Sequence, residues 1–153
     1  EIGSGLVGSE MCIRDRGNMD CGGQAPMHNR QARKRLVSNT MKKILIVDDN
    51  LEFLRLLSSL LEQDQLLIYK AAGVQEAIEL LENTTVDAIC SDYGMRDGTG
   101  LELFQKLRLR DVKIPFMIMS ANDDYQLINK IKSWGASFCS KTSHELIGKI
   151  KAL

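Results

Sequence analysis

Four apolar residues in a row, Ile44-Leu45-Ile46-Val47, run straight into two carboxylates, Asp48 and Asp49. A continuous apolar run rich in β-branched residues lacks the alternation of a half-wet strand and suits a strand covered on both faces at the centre of a parallel sheet. Such a strand needs helices above and below it. From about Asn50 to Glu62 the period changes, with Phe53, Leu54, Leu57 and Leu61 recurring at spacings of three and four. Leu66 to Lys70 then reads as a second strand, and Val74 to Glu82 as a second helix with Ala77, Ile78 and Leu81 inward. A third strand over Val86 to Ser91 precedes a helix from about Gly100 to Arg108, and a fourth over Pro115 to Met119 precedes a helix from about Asp123 to Ser133. Gly135 stands where a C′ glycine would end that helix. The fifth strand is Ser137 to Ser140, and Thr142-Ser143-His144-Glu145 has the spacing of a capping box opening the last helix. Strands alternating with helices predict an α/β fold, a doubly wound five-stranded parallel sheet with five helices.

All of this lies in residues 41–153, enough chain for one domain with one core. Residues 1 to 40 show neither hydrophobic period, are rich in Gly, Ser, Asn and Arg, and are expected to form a disordered tail. The stretch from Gly8 to Arg16 resembles a translated sequencing adapter, and Met19, Met27 and Met41 are each candidate native starts. A basic cluster, Arg30, Arg33, Lys34 and Arg35, is assigned no function. Twenty Lys and Arg balance twenty Asp and Glu, so no global field draws the chain to nucleic acid or an anionic membrane. Cys12, Cys21, Cys90 and Cys139 lack CxxC spacing and there are only two histidines, which argues against zinc and for a reduced cytoplasmic protein. Neither a membrane span nor a signal peptide is expected, since no apolar run approaches 18 residues.

In a doubly wound sheet, ligands bind outside the carboxyl ends of the strands. The residues delivered there are Asp48 and Asp49 after the first strand, Asp92 after the third, Ser120 after the fourth and Lys141 after the fifth. Three neighbouring carboxylates raise one another's pKa unless a cation lies among them, so the group calls for a hard divalent ion. Mg²⁺ suits it, taking one or two carboxylates plus phosphate oxygens and leaving one aspartate as nucleophile. Lys141 would neutralise phosphoryl oxygens as a point charge, and the Ser120 hydroxyl would donate to another. The set describes phosphoryl transfer onto a carboxylate, a reaction that needs positioning and charge stabilisation above all. Singly each residue has an ordinary explanation: an Asp-Asp helix start, a turn aspartate beside Gly94 and Gly98, a Ser cap, a surface lysine. Their coincidence at successive strand ends is what those explanations leave unaccounted for.

Over residues 41–153 the chain resembles the receiver domains of bacterial two-component response regulators, the CheY-like superfamily. The resemblance rests on Met41 to Asn50 with its acidic pair, Asp92-Tyr93-Gly94-Met95 followed by Gly100, Met119-Ser120-Ala121, and Trp134-Gly135-Ala136. It implies the flavodoxin-like strand order 2-1-3-4-5 and a domain in phosphorelay signal transduction, a phosphoacceptor rather than an enzyme. Asp92 is then the acceptor, with Asp49 a direct Mg²⁺ ligand, Asp48 a ligand mainly through water, and the Gly94 backbone carbonyl a further ligand alongside Asp92. Ser120, Ala121 and Lys141 would hold the phosphoryl oxygens, while Ser120 and the aromatic Phe138 would act as the switch. The implied partner is a sensor histidine kinase or a histidine phosphotransfer protein. Output would pass through the face of the fourth helix, fifth strand and fifth helix, through which a homodimer is also expected to form, with no direct nucleic-acid binding by the receiver.

Arg96 stands where the family usually has proline, and Thr142 replaces the proline that normally follows the lysine. Lys141 lies six residues after Gly135, one fewer than is common. The Lys141–Thr142 bond is expected to be trans, because a cis bond before a non-proline residue costs about 2.5 to 4 kcal/mol. The last helix is short for the family, which leaves open whether the C-terminus is truncated before an output domain. Two alternatives compete with this reading: a phosphorylation-independent receiver acting as a protein-interaction module, and a haloacid-dehalogenase-type enzyme. Against the second, Asp97-Gly98-Thr99 follows no strand and Asp48-Asp49-Asn50 lacks the glycine of that nucleophile motif.

Overall fold

The computed structural model describes residues 40–153. The expected tail up to residue 39, with its basic cluster, Cys12 and Cys21, lies outside the described residues. Five strands, β1 (Lys43–Val47), β2 (Leu67–Ala71), β3 (Ala88–Asp92), β4 (Phe116–Ser120) and β5 (Ser137–Ser140), alternate with α1 (Leu51–Glu62), α2 (Val74–Asn83), α3 (Gly100–Leu109), α4 (Tyr125–Ser133) and α5 (Leu146–Lys151). All pairings in the sheet are parallel and the order is β2-β1-β3-β4-β5, the expected doubly wound arrangement. No helix among the described residues is long and apolar enough to cross a membrane.

The pleat sends alternate side chains to opposite faces, so each central strand feeds two cores. Leu45, Val47, Ile89, Phe116 and Ile118 face the helices α2, α3 and α4, where Phe104 and Phe116 meet edge to face at 5.2 Å. Ile44, Ile46, Cys90, Met117, Met119 and Cys139 face α1 and α5 through Leu54, Leu57, Leu61, Leu146 and Ile150. Burial on both faces is why these strands read as unbroken apolar runs. Leu81, expected inward, is half-buried and packs against the first cluster.

The helix ends show which local signals operate. Asn50 caps α1 by accepting from Glu52 N and Phe53 N, and Asp124 caps α4 by accepting from Gln126 N and Leu127 N, so α4 starts two residues later than expected. At the other end of α4, Gly135 has φ +87° while Gly135 N donates to Lys132 O and Ala136 N to Ile131 O. That paired pattern is a Schellman motif, the C′ role read from the sequence. The capping box at Thr142–Glu145 does not form, and α5 begins at Leu146 without a side-chain cap. Ser143 accepts from Glu145 N and Ser140 pairs with the Thr142 hydroxyl, so these polar groups close local turns instead. A side-chain cap lies at α3: Glu102 N donates to Thr99 Oγ1, and the Thr99 hydroxyl donates to the Glu102 carboxylate. Thr99→Ala is expected to lower unfolding free energy by about 1 kcal/mol, read as a lower urea midpoint at unchanged slope. A midpoint within error of wild type would reject the Thr99 cap as a stabilising element.

Candidate functional site

Parallel register brings the strand ends level. Val47 pairs with Ser91, Asp92 with Met119, and Ser120 with Ser140, so Asp48, Asp92, Ser120 and Lys141 emerge on one rim. Asp48, Asp49 and Asp92 each place a carboxylate oxygen within 4.8 Å of the others. Asp48 is fully buried and Asp92 nearly so, while Asp49 is part-exposed.

Each carboxylate is held differently. Asp48 Oδ1 accepts from Asn50 N at 2.9 Å, which turns its second oxygen toward the cluster. Lys141 Nζ lies 2.7 Å from that Oδ2 and 2.8 Å from Asp92 Oδ1, bridging the two acids. Among the described residues nothing but Lys141 partners Asp48 Oδ2, and this fully buried oxygen keeps capacity for a second cation. Asp49 Oδ2 has the exposed Arg96 guanidinium at 3.7 Å, a loose surface pair worth little energetically. These donors, all hard oxygens, fit a small divalent cation.

Burial raises the Asp92 carboxyl above the ordinary aspartate value, with Asp48 adding to the rise, against the lowering pull of Lys141. Burial by itself works to lower the Lys141 pKa, but its bonds and charge pairs with Asp48 and Asp92 prevail and the net shift is upward. Lys141 therefore remains an ammonium. Its Nζ also lies 4.7 Å from the centre of the Phe53 ring, which shields the amine from one side. Beneath the rim, Cys90 and Cys139 are free and buried, and burial pushes the Cys90 thiol up.

The backbone around Asp92 is tightly closed. Tyr93 N donates to Met119 O and Gly100 N to Tyr93 O. A Cβ on Gly100 would lie 2.4 Å from the Asp92 carbonyl oxygen, so only glycine allows helix α3 to start so close behind β3. Between them Gly94–Met95 and Gly98–Thr99 pair as a small antiparallel hairpin.

The structure thus brings Asp48, Asp49, Asp92 and Lys141 together, with Ser120 on the same rim accepting from Asn122 N and Ala121 exposed beside it. Gly94 is exposed at the head of the hairpin. Phe138 is apart from this group, half-buried on the side of the first core cluster. The Lys141–Thr142 bond is trans, as expected, and the lysine reaches the acids with one residue fewer in its approach. Sequence reasoning missed three residues. Phe53 was read only as helix core, Arg96 only as a missing proline, and Asp97 only as part of a rejected motif. Asp97 in fact accepts from Val74 N and Gln75 N at the start of α2.

A family model described as the response regulator receiver domain matches residues 44–147. The nisin biosynthesis regulatory protein NisR of Lactococcus lactis is 27% identical over 72% of this chain and 49% of its own length. The virulence transcriptional regulatory protein PhoP of Salmonella typhimurium is 28% identical over 74% and 52% respectively. The chain spans about half the length of these curated relatives. Among solved structures, the response regulator protein TrrA from Thermotoga maritima, in complex with Mg²⁺ and BeF, superposes with a TM-score of 0.66 at 27% identity, covering 73% of this chain and 98% of that one.

Proposed function

Because the chain belongs to the response regulator receiver domain family, we propose that residues 41–153 accept a phosphoryl group on Asp92 from a sensor histidine kinase or histidine phosphotransfer protein, with Mg²⁺ bound at the acidic cluster. One observation carries this reading: an ammonium 2.8 Å from Asp92 Oδ1 inside a cluster of three carboxylates. Asp92 Oδ attacks phosphorus in line, the bond from phosphorus to the donor's imidazole nitrogen breaks, and the imidazole leaves with a proton while an acyl phosphate forms. Asp48, Asp49, Asp92 and the Gly94 carbonyl would hold the ion, which supplies charge neutralisation for the phosphoryl oxygens when bound. Lys141, already at Asp92, turns to one phosphoryl oxygen, and the Ser120 hydroxyl and Ala121 N–H take others. Ser120 and Phe138 then carry the change to the face of α4, β5 and α5, where a target or a second copy docks. In the Thermotoga relative BeF accompanies Mg²⁺, the same pairing of anion and cation that this reading asks of the cluster.

The reading of a phosphorylation-independent module is disfavoured by the intact buried charges, since an unused pocket would gain by replacing them with apolar groups. Incubation with acetyl phosphate and Mg²⁺ should give hydroxylamine-sensitive phosphate that EDTA prevents. No label under any condition would favour the alternative. Asp49→Ala is expected to weaken Mg²⁺ binding roughly tenfold or more, and Asp48→Ala by less, measured by calorimetry. The asymmetry follows from Asp48 being committed to Asn50 N and Lys141, whereas Asp49 has only a loose surface pair to displace. Equal losses in the two variants would reject the ligand assignment.

A further inference from the structure

We propose that Asp97 is a positioning residue, whose carboxylate clasps the first turn of α2 and thereby fixes the loop that presents the Gly94 carbonyl to the metal. The inference rests on the reading of Gly94 as a ligand. Asp97 Oδ1 accepts from Val74 N at 2.9 Å and Oδ2 from Gln75 N at 2.8 Å, one donor to each oxygen. These bonds cross 22 and 23 residues of chain, so they tie two separate segments rather than cap a helix locally. The helix has no cap of its own, because Gly73 at its N-cap has no side chain to offer. A Cβ at Gly73 would lie 2.6 Å from Asp97 Oδ1 and 2.7 Å from Oδ2, so the absent side chain is the space the carboxylate fills. The N–H of Gln75 foremost, with that of Val74, holds the Asp97 carboxyl below its ordinary value, and the clasp stays charged at neutral pH.

What the clasp holds is short and stiff. Asp97 sits at the turn of the hairpin whose strands are Gly94–Met95 and Gly98–Thr99, with Gly98 at φ +148°. Arg96, one residue before it, is the group that reaches Asp49. Ala72, two residues before α2, lines one cavity together with Asp49, Asn50, Leu51, Glu52 and Arg96. Fastening Asp97 to α2 therefore sets both the position of Gly94 and the width of the mouth beside Asp49.

The test is Mg²⁺ affinity of the full chain by calorimetry, with amide exchange of Met95 to Thr99 read in parallel. Asp97→Ala should raise the Mg²⁺ dissociation constant about three- to tenfold and speed exchange in the hairpin. Gly73→Ala, in a chain that keeps Asp97, should do the same by displacing the carboxylate, which covers the case of an Asp97 variant that folds poorly. Adding Gly73→Ser to Asp97→Ala supplies a local helix cap and should restore the urea midpoint while Mg²⁺ binding stays weak. Recovery of affinity in that double variant, or unchanged affinity in Asp97→Ala, would overturn the proposal by reducing Asp97 to an ordinary cap. A wild-type chain that binds no Mg²⁺ would instead defeat the metal reading itself, and hairpin exchange would then decide the clasp: faster exchange in Asp97→Ala sustains it, unchanged exchange overturns it.

Discussion

Asp92→Asn should reduce phosphoryl labelling by acetyl phosphate to background, the largest effect expected of any substitution in this chain. An amide oxygen carries no negative charge and cannot form a stable acyl phosphate, so the nucleophile is lost while volume is kept. The two remaining carboxylates are poor substitutes for different reasons. Asp48 is fully buried, with one oxygen bound to Asn50 N and the other against Lys141, so it has no open line of approach for phosphorus. Asp49 is accessible, but the cation near it is the exposed Arg96 at 3.7 Å, not an ammonium at 2.8 Å. An attacking oxygen there would lack the donor that neutralises charge in flight. Hydroxylamine-sensitive label on the Asn variant at the wild-type level would sink the assignment of Asp92.

Lys141→Met is expected to destabilise the metal-free protein by about 3 kcal/mol, the lower end of what breaking a buried pair costs, because the lysine is partly open to solvent. Methionine preserves much of the stem's contact with Phe53 but leaves Asp48 and Asp92 facing each other unpaired. The Asp92 carboxyl would then favour its neutral form in the folded state. The burial that already raises the Asp92 carboxyl would act without its main opponent. A carboxyl with a folded-state pKa above its unfolded value gains stability as pH falls through the raised value, so the defect should be large near pH 7.5 and shrink toward pH 5. Wild-type Lys141 has a dependence of the same sign, placed at much higher pH. Its folded pKa is raised, so its contribution is complete below its unfolded pKa and is lost as pH rises through the folded one. Urea unfolding in EDTA at the two pH values measures this. A loss under about 1 kcal/mol, or one indifferent to pH, would mean that the two acids do not depend on the ammonium.

Asp48, Asp49, Asp92, Ser120 and Lys141 were legible because they obey a single rule: polar residues that terminate apolar strands of a parallel sheet share one rim. That rule survives small errors in strand boundaries. β3 begins at Ala88 instead of Val86 and β2 is shifted by one residue, yet the residues at the rim are unchanged. Capping was less legible because the same spacing has two fates. Thr99 caps its helix and bonds Glu102, while Thr142 and Glu145 do not pair, since Ser140 and Ser143 compete for the local polar groups. The Asp97 contact to α2 was invisible for a different reason. Its donors are backbone N–H groups more than twenty residues away, and a backbone donor leaves no mark in the sequence. Its one trace is the glycine at position 73, where a helix start would ordinarily carry Ser, Thr, Asp or Asn.

The Schellman turn that ends α4 has an optical consequence. Trp134, the chain's single tryptophan, is its C-cap, half-exposed and three residues before Ser137, where β5 begins. The rim lies at the other end of that strand, roughly 13 Å away for four residues at about 3.3 Å each. The indole is therefore out of range of direct quenching by a charge arriving at Asp92, and its emission filters out the binding event itself. A change in Trp134 fluorescence on phosphorylation would be a signature of movement carried through α4 and β5, which makes the native fluorophore a built-in reporter of output rather than of input.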